Sequence, residues 1–298
     1  VWRRKMTIRN VEADEILYRS AFAVERKGWK LTNISGKEKD FGNQYTKTML
    51  IKMLKERDKV LGEHYTLESY PIAEDVSHCI LIIKNTLKRL AKHGTLRLIL
   101  TASDKSNFRF AVAKTEGPRG MGYKAGRPPR PVHYQAARDY LINKCGAEEI
   151  HGYEADDALA MYYTPGDVMV HIDKDISMVP GRHLDWVKME FYDSPEGLGT
   201  LEINEKRKVI GRGLKFFYHQ LLTGDSTDNI PGVKGMGPVT AFNVLDECLT
   251  ESECRSIIDS IYLAKFGEGY ESRLAEVADL LWMVGSDLKT GRQYLELT

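Results

Sequence analysis

The acidic residues of this chain fall into short, regularly spaced groups. The stretch YEADDALAM, Tyr153 to Met161, carries Glu154, Asp156 and Asp157 and then turns apolar. HIDKD supplies Asp173 and Asp175, and TGDSTDN supplies Asp225 and Asp228. Residues two apart at the end of a strand face the same side, and residues three apart share a helical face. Two carboxylates ~4 Å apart repel by roughly 4 kcal/mol at an effective dielectric of about 20. Several such pairs would rival a whole domain's stability of about 5–15 kcal/mol, so groups that converge must share cations. An all-oxygen, acidic set suits Mg²⁺ or Mn²⁺. Two such ions side by side form the usual site for phosphodiester hydrolysis. The pattern therefore points to a metal-dependent nuclease. Capping of a helix that starts after Glu154 would explain one of its three acids well and the others poorly.

Strands must deliver these acids to one place. TIRNVE, residues 7–12, reads as a short and rather polar strand that ends in Glu12 and Asp14; the helix ILYRSAFAVER follows. A carboxylate at the C-terminal end of a first strand lies where open α/β sheets bind ligands; the alternative is a helix cap. TLRLILTAS reads as a second strand and delivers Asp104, and DVMVHID reads as a buried strand that delivers Asp173 and Asp175. Ala147 to Ile150 is a short strand. WVKMEFY and TLEIN are expected strands, with KRKVIG pairing with the latter. The stretch from Gly28 to Tyr70 is polar and lysine-rich, with one helix at KTMLIKMLKERDKVL and loop at NISGKEKDFGN. VSHCILIIKNTLKRLAKHG is an amphipathic helix stopped by Gly94. HYQAARDYLINKCG, LKFFYHQLLTGD and RLAEVADLLWMVG read as further helices.

Two segments suggest anion binding. Between the second strand and HYQAARDYL, glycine and proline accompany Arg109, Lys114, Arg119, Lys124, Arg127 and Arg130. This is expected to be a mobile basic loop, with Tyr123 available to stack on a base. It is either a solvated charged loop or, beside a nuclease site, a phosphate-steering one. The turn Gly232-Val233-Lys234-Gly235-Met236-Gly237 opens a helix at Pro238. Successive backbone N–H groups in such a turn bind phosphate without reading bases.

The 298 residues suffice for one large α/β domain, or for a domain with a smaller helical lobe. Hydrophobic residues at 42% and charged residues at 29% are ordinary for a globular chain. No apolar run is long enough for a bilayer span, and no signal-peptide pattern stands at the start. The opening VWRRKMTIRN lacks an initiator Met, which suggests a trimmed or incomplete N-terminus. Cys79, Cys145, Cys248 and Cys254 show no C-x-x-C spacing and read as reduced cytosolic thiols. His151, His171, His183 and His219 show no ligand spacing and read as structural or surface residues. The net charge of +1 decides little.

Taken in order, YEADDALA, HIDKD and LLTGDSTDNIPGVKGMGPVTA resemble the 5′-nuclease family: flap endonucleases, bacteriophage 5′→3′ exonucleases and the 5′-nuclease domain of bacterial DNA polymerase. SDKSNFR and YKAGR look most like the phage members. The resemblance implies an α/β fold, with a central, mainly parallel sheet flanked by helices and a C-terminal helix–three-turn–helix lobe that grips duplex DNA. It implies a catalytic domain over 1–212, with a basic arch at about 109–131, and a helical lobe over 213–298. One ion would be held by Glu12, Asp104, Glu154 and Asp156. The other would be held by Asp156 or Asp157 with Asp173, Asp175, Asp225 and Asp228. Lys124 and Arg127 match the arch positions that contact the scissile phosphate, and Tyr123 matches an aromatic gate. The Gly232–Gly237 turn matches a backbone-binding hairpin that in relatives also holds K⁺. One departure stands out: the family's first strand ends in Asp, here Glu12, and Asp14 is the substitute ligand.

The function expected is a two-ion 5′→3′ exonuclease or 5′-flap endonuclease, using Mg²⁺ with Mn²⁺ as substitute. It would act on branched or duplex DNA, or on an RNA–DNA hybrid, as a cytoplasmic monomer away from membranes, in phage replication or primer removal. A catalytically impaired DNA-junction binder and a PIN-type RNase are the rival readings.

Overall fold

The computed structural model describes residues 7–57, 59–104 and 106–297, with the side chain of His93 excepted. The opening VWRRKM, Asp58, Lys105 and Thr298 lie outside the described residues. In chain order the elements are β1 (Ile8–Glu12), α1 (Ala13–Ala23), β2 (Glu25–Asn33), β3 (Glu38–Asp40), α2 (Lys47–Lys55), β4 (Tyr65–Ala73), α3 (Val76–Leu90) and β5 (Thr95–Thr101). Then come α4 (Arg109–Val112), α5 (Tyr134–Cys145), β6 (Glu148–Ile150), α6 (Ala155–Tyr162), β7 (Val168–His171), β8 (Gly181–Asp185), β9 (Glu190–Ser194), β10 (Thr200–Ile203) and β11 (Val209–Arg212). The chain continues with α7 (Leu214–Thr223), β12 (Gly224–Asp225), β13 (Ile230–Pro231), α8 (Pro238–Leu245), α9 (Glu251–Phe266), α10 (Tyr270–Leu281) and α11 (Gly291–Tyr294).

Two compact units emerge. One comprises 1–15, 90–128 and 146–298; the other comprises 16–89 and 129–145. The first holds the central sheet, in the order β6-β5-β1-β7-β8-β9. Every pairing in it is parallel except the β8–β9 hairpin at the edge. The strands of the sheet's middle therefore end together, at Glu12, Thr101 and His171. Helix α6 packs on β1 and β5 through Ala155, Ala158 and Leu159, all fully buried. Further along, α7 packs on α8, α9 and α10, and β10 pairs with β11. Phe217, Leu221, Leu222, Tyr262, Leu274 and Leu281 fill that part of the core.

The polar character of β1 does not put it at an edge: it runs between β5 and β7. Arg9 is buried there and donates to the carbonyl of Leu90 at 3.0 Å. Asn10 is fully buried, and neither polar atom of its side chain has a partner among the described residues.

The second unit corrects the reading of residues 28–70 as helix and loop. Strand β2 pairs antiparallel with β4 over nine residues and with β3 on its other side. The signal was weak because β3 is wholly exposed and β2 and β4 are half-exposed and polar, so no apolar alternation marks them. A smaller correction concerns WVKMEFY: Trp186 to Met189 is the turn between β8 and β9, with Met189 at φ 60°. The four cysteines are free thiols. No helix among the described residues is long and apolar enough to cross a membrane.

Burying an unpaired amide costs about 1–3 kcal/mol. Asn10→Val, which suits a central strand, is therefore expected to raise the unfolding free energy by about 1–2 kcal/mol. Urea denaturation of the two proteins measures it, and a loss of stability would show that Asn10 has a partner after all.

Candidate functional site

The site is assembled at the C-terminal ends of the parallel strands. Strand β1 ends in Glu12, β7 is followed by Asp173 and the short helical turn Asp175–Met178, and Glu154 caps α6. Asp225 ends β12 and Asp228 lies in the tight turn that leads to β13. Asp225 accepts from the N–H groups of Thr227 and Asp228 at 2.6 and 3.1 Å, and that turn geometry brings both acids to one side. Asp173 likewise accepts from the Asp175 N–H at 2.9 Å.

Electrostatics report the convergence. Burial comes first among the causes that raise the Glu12 carboxyl well above its usual range, followed by the charges of Asp156, Glu15 and Asp173. Burial, then Glu154 and Asp173, does the same to Asp156. Asp173 is raised by burial and by Asp228 and Asp225. Asp175 is pushed up to about 7 by burial and by Asp173. Thus Glu12, Glu154, Asp156, Asp173, Asp175, Asp225 and Asp228 all meet, although they span more than two hundred positions of the sequence.

Protein cations stand among them. Lys124 donates to Glu154 and lies 3.5 Å from Asp228, which also receives Arg127. Lys174, inside HIDKD, bridges Asp225 at 2.8 Å and Asp175 at 3.5 Å. Burial opposes the charge on Lys174, but Asp175 and Asp225 outweigh it and push the ammonium up to about 12. Burial likewise opposes ionisation of Glu154, and Lys124 and Arg109 outweigh it, leaving that carboxyl below its usual range.

Three expected site residues are engaged by other partners. Asp157 is fully buried in a bidentate pair with Arg109, at 2.6 and 2.8 Å, and also accepts from the Val284 and Glu154 N–H groups. Its oxygens serve the fold, and Arg109, expected in the basic loop, is a buried bolt that also reaches the carbonyls of Leu280 and Trp282. Asp104 is partly exposed; it accepts from the Ser106 N–H and pairs with His151 at 2.7 Å. Asp104 is not among the largest causes that raise Glu12 or Asp156. Asp14 does not follow β1 in extended form, because α1 starts at Ala13. Its carboxylate accepts from the Thr101 N–H at 2.8 Å.

The segment 109–131 is also corrected: residues 113–127 form an ordered strap. Asn229 ties it down, accepting from the Arg119 N–H and donating to the carbonyls of Met121 and Gly122. Glu276 receives the N–H groups of Lys114 and Thr115. A Cβ on Gly117 would sit 1.8 Å from the Asn229 carbonyl oxygen, so only glycine permits this approach. Lys124 adopts φ 55° and donates its N–H to the Asp228 carbonyl at 2.8 Å. Tyr123 is packed inward, edge-on to Phe110, and offers no face to a base.

Sequence reasoning missed Glu15, whose carboxylate faces Glu12. It also missed Gln220, which donates to Asp175 at 2.7 Å, and Asn107, which donates to Glu154 at 2.6 Å. Glu15 was findable: it lies three residues from Glu12 across a strand-to-helix junction. The Gly232–Gly237 turn follows β13, with the Val233 N–H on the Leu222 carbonyl and Gly235 at φ 93°.

Among the described residues, no three His, Cys, Asp or Glu side chains are gathered closely enough to hold a metal ion as they stand. Lys124, Arg127 and Lys174 draw several acids toward themselves instead. The donor set nevertheless fits a hard divalent cation. It is all oxygen, it is crowded enough to raise four of its carboxyls, and one buried oxygen of Glu12 has no partner.

Glu15 and Asp175 both ionise at about 7, against ordinary values of 4.5 and 3.8. The folded chain therefore holds protons that the unfolded chain releases. The stability these groups contribute is full below their ordinary values and is lost as pH rises through about 7. In EDTA the unfolding free energy is expected to fall by on the order of 2 kcal/mol between about pH 4.5 and 7.5. Glu154 and Asp225, held low, act with the opposite sign and lose their contribution below about pH 4. Urea titrations across pH test this; a flat profile between pH 5 and 7.5 would contradict the crowding.

No protein-family model matches the chain. DNA polymerase I of Deinococcus radiodurans is 28% identical over 184 residues, covering 58% of this chain and 18% of that protein. The thermostable DNA polymerase I of Thermus aquaticus is 29% identical over 175 residues, covering 55% and 20%. Flap endonuclease Xni of Shewanella denitrificans is 27% identical over 165 residues, covering 50% and 62%. The match thus spans about a fifth of each of these two polymerases and under two thirds of the endonuclease. Similar to a flap endonuclease along much of that enzyme, and to one segment of DNA polymerase I, the chain is a relative of the 5′-nuclease family.

Proposed function

We propose that this chain is a divalent-metal-dependent 5′-nuclease that hydrolyses DNA phosphodiesters to 5′-phosphate products, as an exonuclease or a flap endonuclease. The observation that carries this reading is the meeting of seven carboxylates at the ends of parallel strands, interleaved with Lys124, Arg127 and Lys174. Two ions would be held by Glu12, Glu154 and Asp156, and by Asp156, Asp173, Asp175, Asp225 and Asp228. Bound there, Mg²⁺ or Mn²⁺ supplies Lewis-acid polarisation of the phosphodiester and activation of water.

The chain's own residues do the rest. The carboxylates fix where cations and the reacting phosphate sit. Lys124 and Arg127, paired with Glu154 and Asp228, would exchange these acids for a phosphate once cations hold the carboxylates, and would offset charge developing on its oxygens. Gln220 and Asn107 orient Asp175 and Glu154. The ordered strap limits the path of a single-stranded end. The α7–turn–α8 arrangement supports backbone binding by Gly232, Val233, Lys234, Gly235, Met236 and Gly237, with K⁺ as an optional guest. Residues 1–212 would then form the catalytic part and 213–298 a helix–hairpin–helix lobe. DNA recognition would be independent of sequence and salt-sensitive. A monomer acting in the cytoplasm, in phage replication or RNA-primer removal, is the setting that accords with the resemblance.

A junction-binding protein without catalysis is the second reading, favoured by the placement of Asp104 outside the cluster. An end-labelled 5′-flap duplex distinguishes the two. In Mg²⁺ the nuclease reading expects 5′-phosphate products, none in EDTA, and none from the Asp173→Asn, Asp175→Asn double variant. A shifted but intact duplex in Mg²⁺ favours the binder, and preferential cleavage of RNA favours the PIN-type rival. Lys124→Ala is expected to slow cleavage by roughly 10²–10³-fold; an unchanged rate would remove Lys124 from the mechanism.

A further inference from the structure

The acids of the cluster divide into two groups by what neutralises them. Glu154, Asp175, Asp225 and Asp228 each meet a lysine or arginine. Among the described residues, Glu12, Glu15, Asp156 and Asp173 form no ion pair with a lysine or arginine. Glu15 is held by the Ile172 and Trp186 donors and by a hydrogen bond with Glu12. Both its oxygens accept from the Ile172 N–H, at 2.9 and 2.8 Å, and one accepts from Trp186 Nε1 at 2.9 Å. Ile172 directly precedes Asp173, so these bonds fix Glu15 against the end of β7. Glu12 ends the adjacent strand β1 and hydrogen-bonds with Glu15, and among the described residues its buried Oε2 has no partner.

The other residues expected around the first ion are occupied. Asp104 is engaged with His151, Asp14 with the Thr101 N–H, and Glu154 with Lys124 and Asn107. A buried group of carboxylates without a paired counter-charge is costly; Lys124 and Lys174 offset the charge of Asp156 and Asp173 only in part, and among the described residues no lysine or arginine pairs with any of the four.

We propose that Glu15 is a further member of the ion-holding set, sharing one divalent cation with Glu12, Asp156 and Asp173 in place of Asp104. The inference rests on the nuclease reading for the identity of the ion, and it changes which residues hold it. The longer side chain of Glu12 then has a reason: from the end of β1 it reaches Glu15 in the first turn of α1, and the two carboxyls close on one cation together.

The test is Mn²⁺ binding without DNA, followed by electron paramagnetic resonance and by the thermal shift that Mn²⁺ produces, on wild type, Glu15→Gln, Glu15→Asp and Asp104→Asn. Glutamine keeps an oxygen for the Ile172 and Trp186 donors, so a purely structural role survives it. The proposal expects Glu15→Gln to weaken Mn²⁺ binding by at least about tenfold, with an unchanged or higher melting temperature in EDTA. Asp104→Asn should bind as wild type does. Equal Mn²⁺ affinity in Glu15→Gln and wild type overturns it. So does a Glu15→Gln that fails to fold while Glu15→Asp folds and binds as wild type does. Wild type that binds no Mn²⁺ at all overturns the ion-cluster reading beneath it, which separates the two failures.

Discussion

Repulsion between buried carboxylates is the constraint on which the rest of this protein turns. Parallel pairing puts the ends of β1, β5 and β7 side by side, and the residues that follow β1 and β7 are acidic. Hydrophobic burial assembles the sheet whether or not the acids are comfortable, since side chains such as Val11, Ile99, Leu100, Met169 and Val170 are removed from water at about 25 cal/mol per Å² of apolar surface. The cost collects at the strand ends, where carboxyls are forced toward their neutral form. Lys124, Arg127 and Lys174 offset part of it, and the part they leave is what a divalent cation would offset.

The same economy explains the strap. A Gly-, Pro- and Arg-rich stretch read alone has no reason to be ordered, because it has little apolar surface to bury. It is ordered because Asn229 and Glu276 satisfy its backbone, and because Lys124 and Arg127 find carboxylates already waiting. Charge in the site thus positions the segment above it. Arg109 plays the complementary role beneath, joining α4, α6 and the chain after α10 through Asp157.

Much of the framework was legible. The apolar strands β5 and β7, the amphipathic α3, the glycine-bounded α7, and α8 with its Gly237-Pro238 start announce themselves through local pattern. The sheet of β2, β3 and β4 did not, because pairing between distant, polar, half-exposed strands leaves no local periodicity. At the site, the motifs nominated Glu12, Glu154, Asp156, Asp173, Asp175, Asp225 and Asp228, whose charges act on one another in the fold. They also nominated Asp104, Asp157 and Tyr123, which the structure turns to other partners.

By itself, the sequence nominated the kind of chemistry: acids at spacings of two and three, ahead of or behind apolar runs, offer paired oxygens that a fold can gather. Only the tertiary structure decided which acids remain uncompensated. Asp157 and Asp156 are neighbours in sequence, yet one meets a buried guanidinium and the other meets carboxylates. That difference comes from side-chain direction on a packed helix and from partners up to more than a hundred residues away, neither of which a local pattern encodes.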